Sequence, residues 1–184
     1  GKLDGVSTGW YKNGTKRFET HYKDDKYNGL KTEWSEDGIK KKETHYKDGK
    51  EDGLKTEWFK DGSKMNEKHY KDGKVVDATG WYRNGQKKGE ATFKDGKLEG
   101  LVTTWFENGR KESEYNYKDD KLDGLWTVWN EGGMKASEGN WKDGKQEGIC
   151  TGIQLHDIVP VFSSWPRQSA LRIQENKGVL MENC

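Results

Sequence analysis

The sequence predicts an all-β protein, an elongated single-layer antiparallel meander of tandem β-hairpin repeats about 24 residues long, followed by an irregular C-terminal cap or tail. Three observations carry this expectation. Trp recurs at Trp10, Trp34, Trp58, Trp81, Trp105 and Trp129, in steps of 24, 24, 23, 24 and 24. Glycines recur with the same steps at Gly14, Gly38, Gly62, Gly85, Gly109 and Gly133. A second aromatic column reads Tyr22, Tyr46, Tyr70, Phe93, Tyr117 and Trp141, and Lys-Asp-Gly-Lys or Lys-Asp-Asp-Lys follows it every time. A fixed period of this length marks a repeat architecture.

Taken in order, Gly1 to Gly5 reads as the last part of a repeat, so the sequence is expected to begin inside a longer protein. Any targeting segment would then lie upstream. Six repeats run from about Gly5 to Glu147, and a seventh begins at Gly148 and fades. Residues 1–150 are therefore read as the repeat domain and 151–184 as an atypical tail. Each repeat holds two turn signals of the Asn-Gly or Asp-Gly type with short alternating runs between them, which is a hairpin signature.

The spacing suggests a register. If each turn is a type I turn with Gly as the left-handed bulge residue, Trp34 faces Lys40, Thr32 faces Lys42 and Leu30 faces Thr44. The next turn makes Tyr46 face Lys50 and Lys42 face Leu54. Both turns place Leu30, Thr32, Trp34, Thr44, Tyr46, Leu54, Thr56 and Trp58 on one face. Lys31, Glu33, Lys41, Glu43, His45 and Glu51 fall on the other. Equivalent residues of successive repeats lie two strands apart, about 9.6 Å. The Trp residues should form a spaced row with Lys stems such as Lys40 and Lys64 between them, held by alkyl packing and cation–π contacts. Repeat four is one residue short around Val76 to Gly80 and has Asp77 where the others have Gly, so a bulge or local twist is expected there.

Composition fits a thin fold. The chain of 184 residues is 29% hydrophobic and 35% charged, which alone leans towards disorder, yet it carries 9 Trp, 8 Tyr and 5 Phe. Large rings on one surface and charge on the other suit one layer better than a thick two-layer core. Net charge is +1, and the 33 basic and 32 acidic residues alternate in sign, so a nucleic-acid footprint is unsupported. No run approaches the roughly 18 apolar residues of a membrane span.

Trp34, Gly38, Lys40, Tyr46, Asp48, Gly49, Lys50 and Gly53 together resemble the bacterial variant of the MORN repeat, and most other repeats match equally. The resemblance covers residues 1 to about 150 and implies repeated hairpins in a single-layer sheet. It also implies an interaction or membrane-associated scaffold, in the bacterial cytoplasm or cell envelope. Many bacterial members resemble proteins described as YwqK-like antitoxins, which implies a toxin-neutralising protein partner. Thr8-Gly9-Trp10-Tyr11 resembles choline-binding cell-wall repeats as well, but those are shorter and carry paired aromatics that Trp34-Ser35 lacks.

The expected function is a non-catalytic scaffold binding a protein partner, with a cell-envelope or wall-ligand module (glycan or choline-like) as the alternative. The candidate partner-binding residues are Trp10, Trp34, Trp58, Trp81, Trp105, Trp129, Tyr22, Tyr46, Tyr70, Phe93, Tyr117 and Trp141. They could equally be the packing of a one-layer sheet, and the two roles overlap. No Gly-x-Ser-x-Gly elbow, phosphate loop or HExxH occurs, and a repeat array places its carboxylates in similar surroundings, whereas acid–base work needs them in different ones. No cofactor is expected. The column His21, His45 and His69 tempts a metal reading. Imidazoles about 9.6 Å apart cannot all lie within about 2.1 Å of one zinc, so a His45–Glu51 cross-strand pair is expected instead. The Lys-Asp-Gly-Lys turns lack calcium's dense oxygen ligands. Cys150 and Cys184 have no metal-site spacing. The tail holds a β-rich run, Ile158 to Phe162, and a helix candidate from Ser169 to Asn176; a cap over the last sheet edge and a docking tail both remain open.

Overall fold

A computed structural model describes residues 1–152, with side-chain surroundings through residue 147. The expectations for Ile158 to Phe162 and Ser169 to Asn176 fall outside what is described. The strands are β1 (Gly5–Trp10), β2 (Lys16–Lys23), β3 (Lys26–Trp34), β4 (Lys40–Lys47), β5 (Lys50–Trp58), β6 (Lys64–Lys71) and β7 (Lys74–Trp81). They continue as β8 (Lys87–Lys94), β9 (Lys97–Leu98), β10 (Gly100–Trp105), β11 (Lys111–Lys118), β12 (Lys121–Trp129), β13 (Lys135–Lys142) and β14 (Lys145–Gly152). All lie in one antiparallel sheet in chain order, with short β9 paired to β8 where the odd strand is interrupted at Glu99. The expected single-layer meander is the observed architecture.

Two kinds of turn alternate. At the Trp end, Ser35 N–H donates to Ile39 O at 2.8 Å and Gly38 N–H to Ser35 O at 3.0 Å, with Gly38 at φ 80°. That is the expected type I turn with a left-handed Gly. At the Tyr end, Lys47 pairs with Lys50, and both Asp48 and Gly49 have positive φ, 51° and 84°. This is a two-residue type I′ turn, whose twist matches that of the strands. The type I form expected there is corrected by a loop one residue shorter.

The register is corrected too. Trp34 does face Lys40, but Glu33 faces Lys42 and Thr32 faces Glu43, because Lys41 is bulged out. Leu30 then faces His45, not Thr44. Across the type I′ turn Tyr46 faces Glu51, and Thr44 faces Lys55. The two extra residues of β5 form a wide bulge around Gly53, which sits at φ 110°. A Cβ added there would come within 3.1 Å of His45 Cβ, so glycine is required for space and for backbone conformation. In the short fourth repeat, the break between His69 and Tyr70 has one extra residue instead of two, and Asp77 needs no left-handed φ. The expected irregularity is thus a bulge smaller than its neighbours.

Because a one-residue shift moves every side chain across the sheet, the two aromatic columns separate. Residues paired across strands share a face. Trp34 shares a face with Thr32, Leu30, Glu43 and His45, while Tyr46 shares the opposite face with Lys31, Thr44, Lys55 and Glu57. The expectation that the Trp and Tyr columns line one face is overturned. We refer to these as the Trp face and the Tyr face. Each buries a central row without a second layer among the described residues. Thr20, Thr44, Ala91, Val102 and Tyr115 are buried on the Tyr face, and Thr32, Thr56, Thr103 and Thr127 on the Trp face. Their cover is the long side chains beside them on the same face.

Candidate partner-binding face

On the Trp face three rows run across the strands. The first alternates Trp and Lys. Lys16 Nζ lies 5.3 Å from the centroid of the Trp34 ring, Lys40 5.2 Å from Trp58, Lys64 5.0 Å from Trp81, Lys87 5.4 Å from Trp105 and Lys111 5.7 Å from Trp129. The expected Lys stems between Trp rings are present, at separations where an ammonium is attracted by the ring quadrupole.

The second row alternates Thr and Glu: Thr8, Glu19, Thr32, Glu43, Thr56, Glu67, Thr79, Glu90, Thr103, Glu114, Thr127 and Glu138 follow one another across paired strands. The two rows are tied together. Lys16 pairs with Glu19 at 2.7 Å, Lys40 with Glu43 at 2.6 Å and Lys87 with Glu90 at 2.7 Å; Lys64 pairs with Glu67 in the same way. The hydrogen bond from Lys16 lowers the Glu19 carboxyl below its usual range. Each Lys therefore serves a ring and a carboxylate at once, which fixes a side chain that would otherwise be free.

The third row pairs an apolar residue with His or Asn: Val6 with His21, Leu30 with His45, Leu101 with Asn116 and Leu125 with Asn140. The ring nitrogens explain the polar members. His21 Nδ1 lies 2.7 Å from Leu30 O, and His45 Nδ1 2.9 Å from Leu54 O. A carbonyl only accepts, so each Nδ1 carries the proton. Asn116 Nδ2 donates to Leu125 O at 2.8 Å in the equivalent place. These side chains satisfy carbonyls that the wide bulge takes out of the ladder. The expected His45–Glu51 pair does not form, because the bulge places Glu51 opposite Tyr46, where Lys55 takes it at 2.8 Å. His69 is the exception: Asp77 replaces the apolar residue and its carboxylate lies 2.6 Å from Nδ1.

Three apolar members of this row are left open, while Leu30 and Leu54 are half-buried. Val6 is 59% exposed, Leu101 46% and Leu125 56%. Sequence reading placed Leu30 and Leu54 on a face but did not single out the row for binding; its signal was the apolar residue that follows each bulge glycine. The Trp residues are half-buried except Trp10, which is 61% exposed.

The Tyr face holds the rest of the expected set. Tyr22 and Tyr27 rings lie 5.0 Å apart, and Tyr27 and Tyr46 5.1 Å. Lys31 lies over Tyr27 at 5.4 Å and pairs with Glu33 at 3.1 Å. Burial pushes the Tyr46, Tyr70 and Tyr117 hydroxyls up, and Tyr115 to about 12. An open cleft of about 380 Å³ between Tyr11, Phe18, Tyr22, Tyr27 and Lys31 lies on this side. Phe93 and Trp141 are half-buried here as well. The Tyr column is thus packed against its own face, and the twelve candidate residues do not form one surface.

Residues 3–24, 27–48, 74–95 and 98–119 match the MORN repeat variant. These four segments carry the MORN repeat. The segments between and after these matches hold the same kinds of strand, turn and bulge, so the hairpin pattern in the structure reaches β13. No curated protein matches the chain. Successive MORN repeats are stapled beyond the ladder itself. Gly49 N–H donates to Tyr27 O at 2.8 Å, Tyr11 Oη to Trp34 O at 2.9 Å and Asn13 Nδ2 to Glu36 O at 2.9 Å. The equivalent bonds recur at Gly73, Tyr82 and Asn84.

Proposed function

We propose that this MORN-repeat chain is a non-catalytic scaffold that docks a protein partner on its Trp face. The observation that carries the reading is the exposed pair Leu101 and Leu125, 46% and 56% accessible two strands apart, beside the Lys87–Trp105 and Lys111–Trp129 contacts of the Trp/Lys row. Aromatic and aliphatic anchors fringed by charge are what protein interfaces use. An antitoxin-like role, with the Trp face covering a toxin, is the narrower form of the same proposal. The non-catalytic part is supported by sameness: Glu19, Glu43, Glu90 and Glu138 each pair with a Lys three residues before them. No two of these are set apart as an acid and a base. A wall-ligand module is the weaker reading, because a quaternary ammonium would have to displace the Lys already over each interior Trp.

The test compares two variants with the unaltered chain in a pull-down from bacterial lysate. Leu101→Glu with Leu125→Glu alters the Trp face, and Lys41→Glu alters an exposed position elsewhere. Circular dichroism checks that each is folded. The proposal expects a specific protein that the first variant loses and the second keeps. Equal capture by both would contradict docking on the Trp face.

A further inference from the structure

The first repeat differs from the later ones at two positions of the Tyr face. Phe18 stands where they have Lys42, Asn66, Gly89, Ser113 and Ser137. Tyr27 stands where they have Glu51, Val75, Leu98, Leu122 and Gln146, so no later repeat has a ring at either position. Along β2, Phe18, Thr20 and Tyr22 share a face because strand side chains alternate. The small, buried Thr20 leaves a slot between the two rings. Tyr27 closes the slot beside Tyr22, 5.0 Å away. These rings wall the open cleft of about 380 Å³, which falls in the size range of small-molecule sites. Its lining comes from β2, β3, β4 and the turn residue Tyr11, and β1 contributes none of it.

The walls are held by the sheet itself. A Cβ at Gly9 would collide with the Phe18 ring, so glycine there lets the ring lie against β1. Tyr27 sits between Tyr22 and Tyr46, tilted 39° and 44° to them. A wall formed in advance spares a ligand the cost of ordering it.

Charge at the cleft is one-sided. Arg17, Lys31 and Lys41 line it with a single carboxylate, Glu33. Lys31 takes that carboxylate at 3.1 Å. Arg17 and Lys41 are left over for one reason: each is the extra residue of a bulge, between Lys16 and Phe18 and between Lys40 and Lys42. Arg17 lies 5.9 Å from the Tyr11 ring, and no carboxylate pairs with Arg17 or Lys41 among the described residues. On the Trp face their neighbours Lys16 and Lys40 each hold a Glu. A neutral ring in the slot would leave the two cations unanswered, and a cationic one would be repelled by them.

We propose that the cleft of the first repeat binds a small aromatic acid, its ring in the slot between Phe18 and Tyr22 and its carboxylate towards Arg17 and Lys41. The site lies on the face opposite the docking surface proposed above and does not rest on it.

The test is a titration of the full 184-residue chain, labelled with nitrogen-15, with indole-3-acetate, followed by amide NMR shifts. Tryptamine, the same ring on a cation, and acetate, the charge without a ring, are the controls. The expected result is saturable shifts at Phe18, Thr20, Tyr22 and Lys31 with millimolar indole-3-acetate, and none there with either control. Phe18→Lys, which copies the second repeat, should abolish them. Arg17→Ala and Lys41→Ala should each weaken binding roughly two- to fivefold, the worth of an exposed charge contact. Both side chains are exposed, so these variants keep the test decisive if Phe18→Lys disturbs β2. Absence of saturable shifts, shifts mapping to the Trp face, or equal binding of either control would overturn the proposal. So would an affinity unchanged when Arg17→Ala and Lys41→Ala are combined. Failure of the pull-down with success here would remove the Trp-face reading and leave the cleft standing.

Discussion

The Tyr face is filled in two different ways along one backbone. In the first half its central row reads Thr20, Lys31, Thr44, Lys55 and Lys68 across paired strands. In the second half the same row continues as Ala78, Ala91, Val102, Tyr115 and Trp126. The flanking row changes likewise, from Glu33, Lys42 and Glu57 to Thr104, Ser113 and Val128. In the first half long Lys stems cover the sheet, their ammonium groups over Tyr rings and against carboxylates; Lys55 sits over Tyr70 at 5.3 Å. In the second half small apolar residues are sealed directly, with Val102 at 0% exposure and Tyr115 stacked on Trp126 at 6.2 Å. Repeat identity thus constrains turns, bulges and the Trp face, while one face is free to exchange ion pairing for apolar burial. The two halves should differ in local stability, since partly exposed ion pairs contribute little and buried apolar area contributes most.

The largest effect is expected from exchanging the two solutions at equivalent positions. Val102→Lys places an ammonium where no space or carboxylate awaits it and should cost about 3–4 kcal/mol in denaturant unfolding. The reciprocal Lys55→Val loses the Glu51 pair and the Tyr70 contact but gains apolar burial, and should change stability by no more than about 1 kcal/mol. Similar losses in both would erase the distinction.

Next is the alkaline response of the second half. Tyr115 is pushed up to about 12, first by burial and then by Tyr117 and Glu112. Its folded value lies above the unfolded one, so its contribution is complete below about pH 10 and is lost as pH rises towards 12. The loss should reach about 2–3 kcal/mol. Ultraviolet titration near the tyrosinate band, with stability measured across the same range, checks both parts, and Tyr115→Phe should remove this component.

A smaller effect should appear at the seam. Lys68 is 8% exposed, and burial lowers its ammonium below the usual range. A depressed Lys costs stability near neutral pH, a cost that fades as pH rises through the folded value towards the unfolded one. Lys68→Met continues the apolar row and should stabilise the chain by about 1 kcal/mol, read as a shift of the denaturant midpoint.

Smallest is the bulge hydrogen bond shared by both halves. His45→Ala should cost about 1 kcal/mol, whereas His45→Asn, imitating Asn116, should cost little. Amide exchange at the neighbouring residues would rise in the first variant and not in the second.

Particular residues explain how far the sequence could be read. The period, strand count and Trp-end turn follow from Trp, Gly and Asp-Gly spacing, because each has a local conformational cause. The register did not follow, because Lys40, Lys41 and Lys42 are chemically alike. Bulging Lys41 leaves the composition of the pattern unchanged while moving Tyr46 to the opposite face from Trp34. The corrective signal was Gly29 and Gly53, too far from either turn to serve it and needed for the wide bulge. The candidate site was legible as a Trp/Lys row, which needs only Trp34 opposite Lys40. The exposure of Leu101 and Leu125 was not, because the unbulged register set Thr44 rather than His45 opposite Leu30 and so misjudged what flanks this row.

The separation of the two faces rests on the bulge at Lys41, and cross-strand disulfide trapping tests it most directly. With Cys150→Ser and Cys184→Ser as background, Thr32→Cys is combined with Glu43→Cys in one chain and with Lys42→Cys in another. A disulfide requires Cα atoms no more than about 7 Å apart and side chains on one face. Ready oxidation of the 32–43 pair with none of the 32–42 pair is the expected result. The reverse would restore the unbulged register and return the Trp and Tyr columns to a single face.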